Sequence, residues 1–423
     1  MSDRSAGTPG HVDRPSPRER LRWLGRVGLG CAQLGNLYTA ISDETASATV
    51  AAAWDVGVRY FDTAPHYGLG LSERRLGVAL RERPRDAYAV STKVGRVLVP
   101  SPATAGEQDS AGFVVPAAYR REWDFSADGL SRSIATSLDR LGLNRIDLVL
   151  IHDPEDHARA ALDEAYPALH ALRAEGVVRA IGVGSTKAAV LDRFVSDTDI
   201  DAVLVAGRYT LLEQPALDSL LPACLRRGVA VLNGGVFNSG LLAVDEPHAG
   251  LPYEYGDAPD SIVARARAIA TVCARHGVSL PRAALAFAAS HPAVASIVVG
   301  AQTPEQARRN FELASAPPPP AGLWAELIEN GLLRPDAPVP GSPAADRSTR
   351  NHSAPDRSAP DRSAPGDSAP GPDNAPGDNA PGHNSASRDN APGHDSAPGD
   401  DAAPSGDSLG PARRGSGAGA GAS

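Results

Sequence analysis

Cysteine is scarce in this sequence: Cys31, Cys224 and Cys273 are the three in 423 residues, far apart and with no CxxC pair among them. An odd, scattered set excludes a disulfide framework and a clustered zinc site, and fits reduced thiols in a cytoplasmic protein. Long apolar runs are missing too. No stretch approaches the ~20 residues that span a bilayer, and the opening MSDRSAGTPGHVDRPSPRER is polar and proline-bearing where a signal sequence would be apolar. Positive charge is in deficit. A net charge of −9 argues against nucleic acid or an anionic membrane as partner. The glycine-rich nucleotide signatures fail as well. GLGCAQLG has Gln33 where the third glycine of GxGxxG belongs, and GVGSTK at Gly182 lacks a phosphate-loop ending at the right distance.

What is present, between about Leu21 and Pro335, has a rhythm. RVGLGCA, VGVRYFDTA, YAVSTKVG, IDLVLIHDP, VVRAIGVGST, DAVLVAGRY, VAVLNGG and ASIVVGA are short runs rich in β-branched residues. Their nearly continuous apolar character is that of parallel strands covered on both faces. Helical patterns lie between them. In SADGLSRSIATSLDRLG, Leu130, Ile134, Leu138 and Leu141 form one stripe behind Ser126, an N-cap candidate. Gly57, Gly142, Gly176, Gly228 and Gly277 each close such a pattern, as helix-ending glycines do. Repeated strand–helix units of this kind predict a closed α/β (β/α)₈ TIM barrel, with an open doubly wound sheet as the alternative.

From about Ser342 the chain becomes a degenerate five-residue repeat of Ser, Ala, Pro, Gly and Asp. So little apolar surface cannot offset the entropy of ordering, and the tail is expected to be disordered. The expected organisation is a disordered segment over 1–20, a barrel over 21–335, and a disordered low-complexity tail over 336–423.

In such a barrel, functional groups stand where strands end. Asp62 ends the second strand, with Tyr67 in the loop behind it; Lys93 ends the third, and His152 the fourth. Each alone has an ordinary structural explanation; together, on consecutive strands, they read as a site. A free phenol titrates near ~10. A lysine ammonium beside it favours the ionised form, and an acid compensates the buried lysine. A histidine there can orient a substrate oxygen. The set suits moving a proton on or off a carbonyl or alcohol, with a nicotinamide cofactor supplying the hydride chemistry. The HDPEDH stretch does not predict a metal site, since no second histidine ends another strand, and Glu73 and Glu122 do not form a carboxylate pair with Asp62.

Residues 24–313 resemble the aldo-keto reductases, (β/α)₈ oxidoreductases that bind NAD(P) without a Rossmann fold. FDTAPHYGLGLSERRLG, WDFSADGLSRSIATSLDRLGLNRIDLVLIHDPEDH and AGRYTLLEQPALDSLLPACLRRGVAVLNGGVFNSGLL are similar to the aldose 1-dehydrogenase branch. The resemblance implies a catalytic tetrad of Asp62, Tyr67, Lys93 and His152. It implies oxidation of an aldose such as L-fucose, with a general aldehyde or ketone reductase or a pyridoxal dehydrogenase as alternatives. It also implies cofactor contacts from Ser185, Asn233, Gly234, Gly300, Gln302, Gln306 and Asn310. The sixth strand offers Ala206 where the family usually has glutamine, and LNGGVFNSG lacks the family's stacking aromatic. Neutral residues after the eighth strand point to NAD rather than NADP. The long segment following the third strand is expected over the pocket, with Tyr119 and Trp123 either stacking on a sugar or packing the loop. A reading of another class is a non-catalytic regulatory protein on a reductase scaffold, which has no need of a lysine-activated tyrosine.

Overall fold

The computed structural model describes residues 16–254 and 256–341. The repeat tail and residues 1–15 lie outside them. All eight expected runs are strands: β1 (Val27–Gly30), β2 (Tyr60–Asp62), β3 (Ala89–Val94), β4 (Leu148–His152), β5 (Ala180–Ser185), β6 (Ala202–Ala206), β7 (Ala230–Gly234) and β8 (Val294–Gly300). They close into one parallel barrel in the order β1-β8-β7-β6-β5-β4-β3-β2. The open-sheet alternative is thereby excluded.

Helices cover the outside, among them α1 (Asp43–Asp55), α2 (Leu71–Leu80), α3 (Ala127–Leu141), α4 (Tyr166–Ala174), α5 (Ala188–Asp197) and α6 (Leu220–Arg227). α3 forms for the reasons legible in its sequence. Ser126 accepts the Gly129 N–H at 3.1 Å, and Gly142 ends the helix in the left-handed region. Leu130, Ile134 and Leu141 are buried against the barrel, each worth roughly 1.5–3 kcal/mol. Between β7 and β8 run two helices, α7 (Asp260–Arg275) and α8 (Leu280–Ala288); α9 (Pro304–Ser315) follows β8, and α10 (Ala321–Glu329) closes the set. Among the described residues no helix is long and apolar enough to cross a membrane.

Strand alternation decides what faces inward. Tyr60, Ala89, Leu148, Leu150, Ala180, Ala202, Leu204, Ala230 and Leu232 form the barrel interior together with Leu21 and Leu24. Alanines at the strand starts leave room at the N-terminal mouth, and Leu21 and Leu24 fill it. A helical turn over Pro17–Arg20 secures this plug, with Ser16 and Glu19 forming a capping box. Arg18 donates to the carbonyls of Ala289, Ser290, His291 and Val294. Residues 16–20, expected within a disordered segment over 1–20, are therefore ordered. At the other end, the barrel boundary expected at Pro335 also moves outward. Ala337 is buried, and the Pro338 carbonyl accepts from Ser290 Oγ at 2.6 Å.

Candidate active site

Two residues beyond each inward-facing apolar side chain, the same alternation brings a polar group inside at the C-terminal mouth. Asp62 follows Tyr60, Lys93 follows Ala89 and Ser91, and His152 follows Leu148 and Leu150. The register sets Asp62 beside Ser91 and His152 beside Gly184. All three are buried, Lys93 to 2% exposure.

Lys93 Nζ donates to three acceptors: Asp62 Oδ2 at 2.8 Å, the Thr63 carbonyl at 2.9 Å and the Tyr67 hydroxyl at 3.0 Å. The other Asp62 oxygen receives Ser91 Oγ at 2.7 Å, so the Tyr60 hydroxyl, 2.9 Å from Ser91 Oγ, must be the donor there. Burial by itself would depress the Lys93 ammonium; Asp62 and Tyr67 outweigh it and hold its pKa above the ordinary lysine value. The lysine is charged.

Tyr67 is positioned by backbone. Gly68, Leu69 and Gly70 are all left-handed, with φ of 60°, 52° and 83°. Gly35 and Gly68 approach so closely that a Cβ on Gly68 would lie 2.3 Å from the Gly35 carbonyl oxygen. On the other side Phe113 packs on the Tyr67 ring at 6.0 Å between centroids. His152 meets the same ring edge-on at 5.9 Å. Burial drives the His152 pKa well below the imidazole range, and Arg96 and Lys93 add to the effect. His152 is a neutral donor or acceptor here, never an imidazolium at working pH.

A cavity of about 530 Å³ opens from Asp62 and Tyr67 and is lined also by Gly234, Gly300, Gln302, Gln306 and Asn310, five of the seven expected cofactor residues. The other two, Ser185 and Asn233, are not on its wall. On β5 and β7 the inward positions are Gly184 and Gly234, so their neighbours in sequence turn outward. Ser185 Oγ donates to Glu155 and accepts the Lys187 N–H at 2.7 Å. The Asn233 amide donates to the carbonyls of Tyr209 at 2.8 Å and Ala288 at 3.0 Å. Thr186 lines the cavity instead. Tyr119 and Trp123 belong to a hairpin, Arg96–Pro100 paired antiparallel with Tyr119–Trp123, and neither reaches the cavity. Trp123 stacks on Phe125 at 5.8 Å with Arg96 above it at 4.6 Å, the packing alternative.

Sequence reading missed Gln33, Arg208, Asn238 and Ser239 on the cavity wall. Asn238 and Ser239 had a signal, the NSG turn: both are left-handed, at φ 47° and 59°, and lead into Gly240 at 110°.

A dinucleotide fits such walls. The glycines at 30, 207, 234, 235 and 300 leave backbone exposed for close approach, and a Cβ on Gly300 would meet the Gln33 side chain at 2.5 Å.

Residues 26–321 match the description Aldo/keto reductase family. The chain belongs to that family. It is an oxidoreductase, and the family's cofactor is NAD(P)(H). The reductase is 52% identical over 310 residues to D-threo-aldose 1-dehydrogenase of a Pseudomonas species, covering 73% of this chain and 94% of the relative. It is 38% identical over 328 residues to pyridoxal 4-dehydrogenase of Microbacterium luteolum, with the same two coverages of 73% and 94%. In fold it is similar to the glycerol dehydrogenase of Gluconobacter oxydans, with a TM-score of 0.59 at 24% identity over 79% of this chain and 96% of that one.

Proposed function

We propose that this reductase oxidises the anomeric carbon of an aldose such as L-fucose to the lactone, using NAD⁺ in preference to NADP⁺ and Tyr67 as proton acceptor. The observation that carries the chemistry is the Lys93 ammonium 3.0 Å from the Tyr67 hydroxyl. The sugar rests on the Pseudomonas relative, an aldose 1-dehydrogenase by name.

When bound, the oxidised nicotinamide supplies the acceptor for the hydride from C1. The protein's own groups manage the proton and the geometry. Lys93 favours negative charge on the Tyr67 oxygen, which accepts the anomeric hydroxyl proton. Asp62, fixed by Ser91, offsets the lysine charge so that the pair can stay buried. Neutral His152 hydrogen-bonds the sugar oxygen without competing for its proton. Thr186 and Gly234 would hold the nicotinamide end, while Gly300, Gln302, Gln306 and Asn310 would hold the adenosine-phosphate end. Ser185 and Asn233 act from behind, shaping the loops that carry those contacts.

The preference for NAD⁺ rests on neutral Gln302 and Gln306 at the far end of the cavity. Arg309 does line it, but Asp245 lies 3.8 Å from its guanidinium and offsets its charge toward a 2′-phosphate. We place the enzyme in the cytoplasm on its scattered reduced thiols.

The test mixes enzyme with NAD⁺ or NADP⁺ and a panel holding L-fucose, other aldoses and pyridoxal, and follows cofactor absorbance. NADH formation with an aldose, at higher kcat/KM than with NADP⁺ or pyridoxal, is the expected result. Absence of turnover with every aldose would overturn the sugar reading, and a preference for NADP⁺ the cofactor reading.

A further inference from the structure

Beside the tetrad stands a charged pair that the chemistry above does not use. Asp153 directly follows His152, and its backbone is left-handed at φ 42°, a conformation that costs a non-glycine residue energy. Its Oδ2 lies 3.5 Å from His152 Nε2. Arg96, the first residue of the hairpin, donates to the same Oδ2 at 2.5 Å. Its other terminal nitrogen sits 3.4 Å from His66 Nδ1, and its plane lies over Trp123. Because a guanidinium only donates, His66 is neutral; burial and Arg96 take its pKa down to about 2. Neither charge is sealed off: the side chains are 17% and 28% exposed for Arg96 and Asp153. Among the described residues, every hydrogen bond and ion pair of the Asp153 carboxylate goes to Oδ2, which leaves Oδ1 for a ligand.

A carboxylate and a planar guanidinium side by side suit vicinal hydroxyls, one accepting and the other donating. Beyond its reacting oxygen, a simple aldehyde such as propanal has no hydroxyl to offer either. We infer that Asp153 and Arg96 read the diol next to the reacting carbon, and so select polyhydroxylated substrates over simple aldehydes. This rests on the aldose reading above. The bland alternative is a latch that only ties the hairpin to the end of β4.

Asp153→Asn separates the two, because asparagine tolerates a left-handed backbone and keeps the side chain's shape while removing its charge. Arg96→Lys keeps the charge and loses the fork. Both variants, checked for NAD⁺ binding by fluorescence and for melting temperature, would be assayed on L-fucose oxidation and on propanal reduction. The expected result is a fall in the fucose-to-propanal ratio of kcat/KM on the order of 30-fold in Asp153→Asn. It should appear mainly in KM, with cofactor affinity held and a smaller fall in Arg96→Lys. Equal losses on both substrates, or an unchanged ratio, would overturn the assignment in favour of the latch. A wild type that reduces propanal but oxidises no aldose would instead overturn the sugar reading on which it rests.

Discussion

Lys93 and Lys187 are the only lysines in a sequence that otherwise uses arginine for positive charge. The position explains the exception. Lys93 is fully enclosed, and its three acceptors converge on one nitrogen. A compact ammonium serves three acceptors at a point, whereas a planar fork needs space on either side. Lys93→Arg should therefore fail as thoroughly as Lys93→Met, and both should lower stability, since Asp62 is left buried without a fitting counter-ion. Tyr67→Phe removes only the proton-transfer oxygen. It should bind NAD⁺ and melt near wild type while losing on the order of 100-fold or more in kcat. A Tyr67→Phe enzyme retaining more than a few per cent of wild-type turnover would remove tyrosine from the proposed chemistry.

The loop from Ala64 to Gly70 carries Tyr67, and what holds it is the absence of side chains. Gly68 has φ +60°, and a Cβ there would collide with the Gly35 backbone. Gly68→Ala should then cost more than about 1 kcal/mol of stability. It should also push the loop away from the turn at Gly35, separating the phenol from Lys93. The expected signature is a kcat lost out of proportion to the fall in melting temperature, with NAD⁺ affinity changed much less. Steady-state kinetics and cofactor titration on the one variant would check it. A kcat that survives would mean that the glycine contact serves folding alone.

At the scale of the whole chain, the ends of the barrel are where order was underestimated. Leu333 and Ala337 are buried and Pro338 is tied to Ser290, so a chain stopping at Gly341 should keep full activity and melting temperature. One stopping at Leu332 should lose roughly 2–5 kcal/mol of stability from the Leu333 site alone. Activity and thermal unfolding of the two truncations decide the point. Acid sensitivity is a property of the whole molecule as well. His66, His152 and His291 are all held below the ordinary value of 6.5 by burial, His291 to about 4. Below pH 6.5 the unfolded chain takes up protons that the folded chain refuses, so stability is full above that pH and declines as pH falls. Each histidine contributes up to about 1.4 kcal/mol per pH unit in its window. Melting temperature should drop between pH 7.5 and 5, and less so in His291→Asn; a flat profile would contradict the burial assigned to these rings.

The sequence by itself determined the barrel, and it placed Asp62, Tyr67, Lys93 and His152 at one end of it. Strand runs, helix stripes and closing glycines are local patterns, and Asp62, Lys93 and His152 each sit at a strand end that such patterns mark. Only the tertiary structure decided which way Ser185 and Asn233 turn. A strand that is apolar on both faces gives no hint of which face is inside, and closure of the barrel settles it for every residue at once. The same holds for the plug of Leu21 and Leu24, the ordered run through Pro338, and the meeting of Arg96 with Asp153 and His66. These join segments tens to hundreds of residues apart, and the energy that brings them together lies in contacts that no local stretch contains.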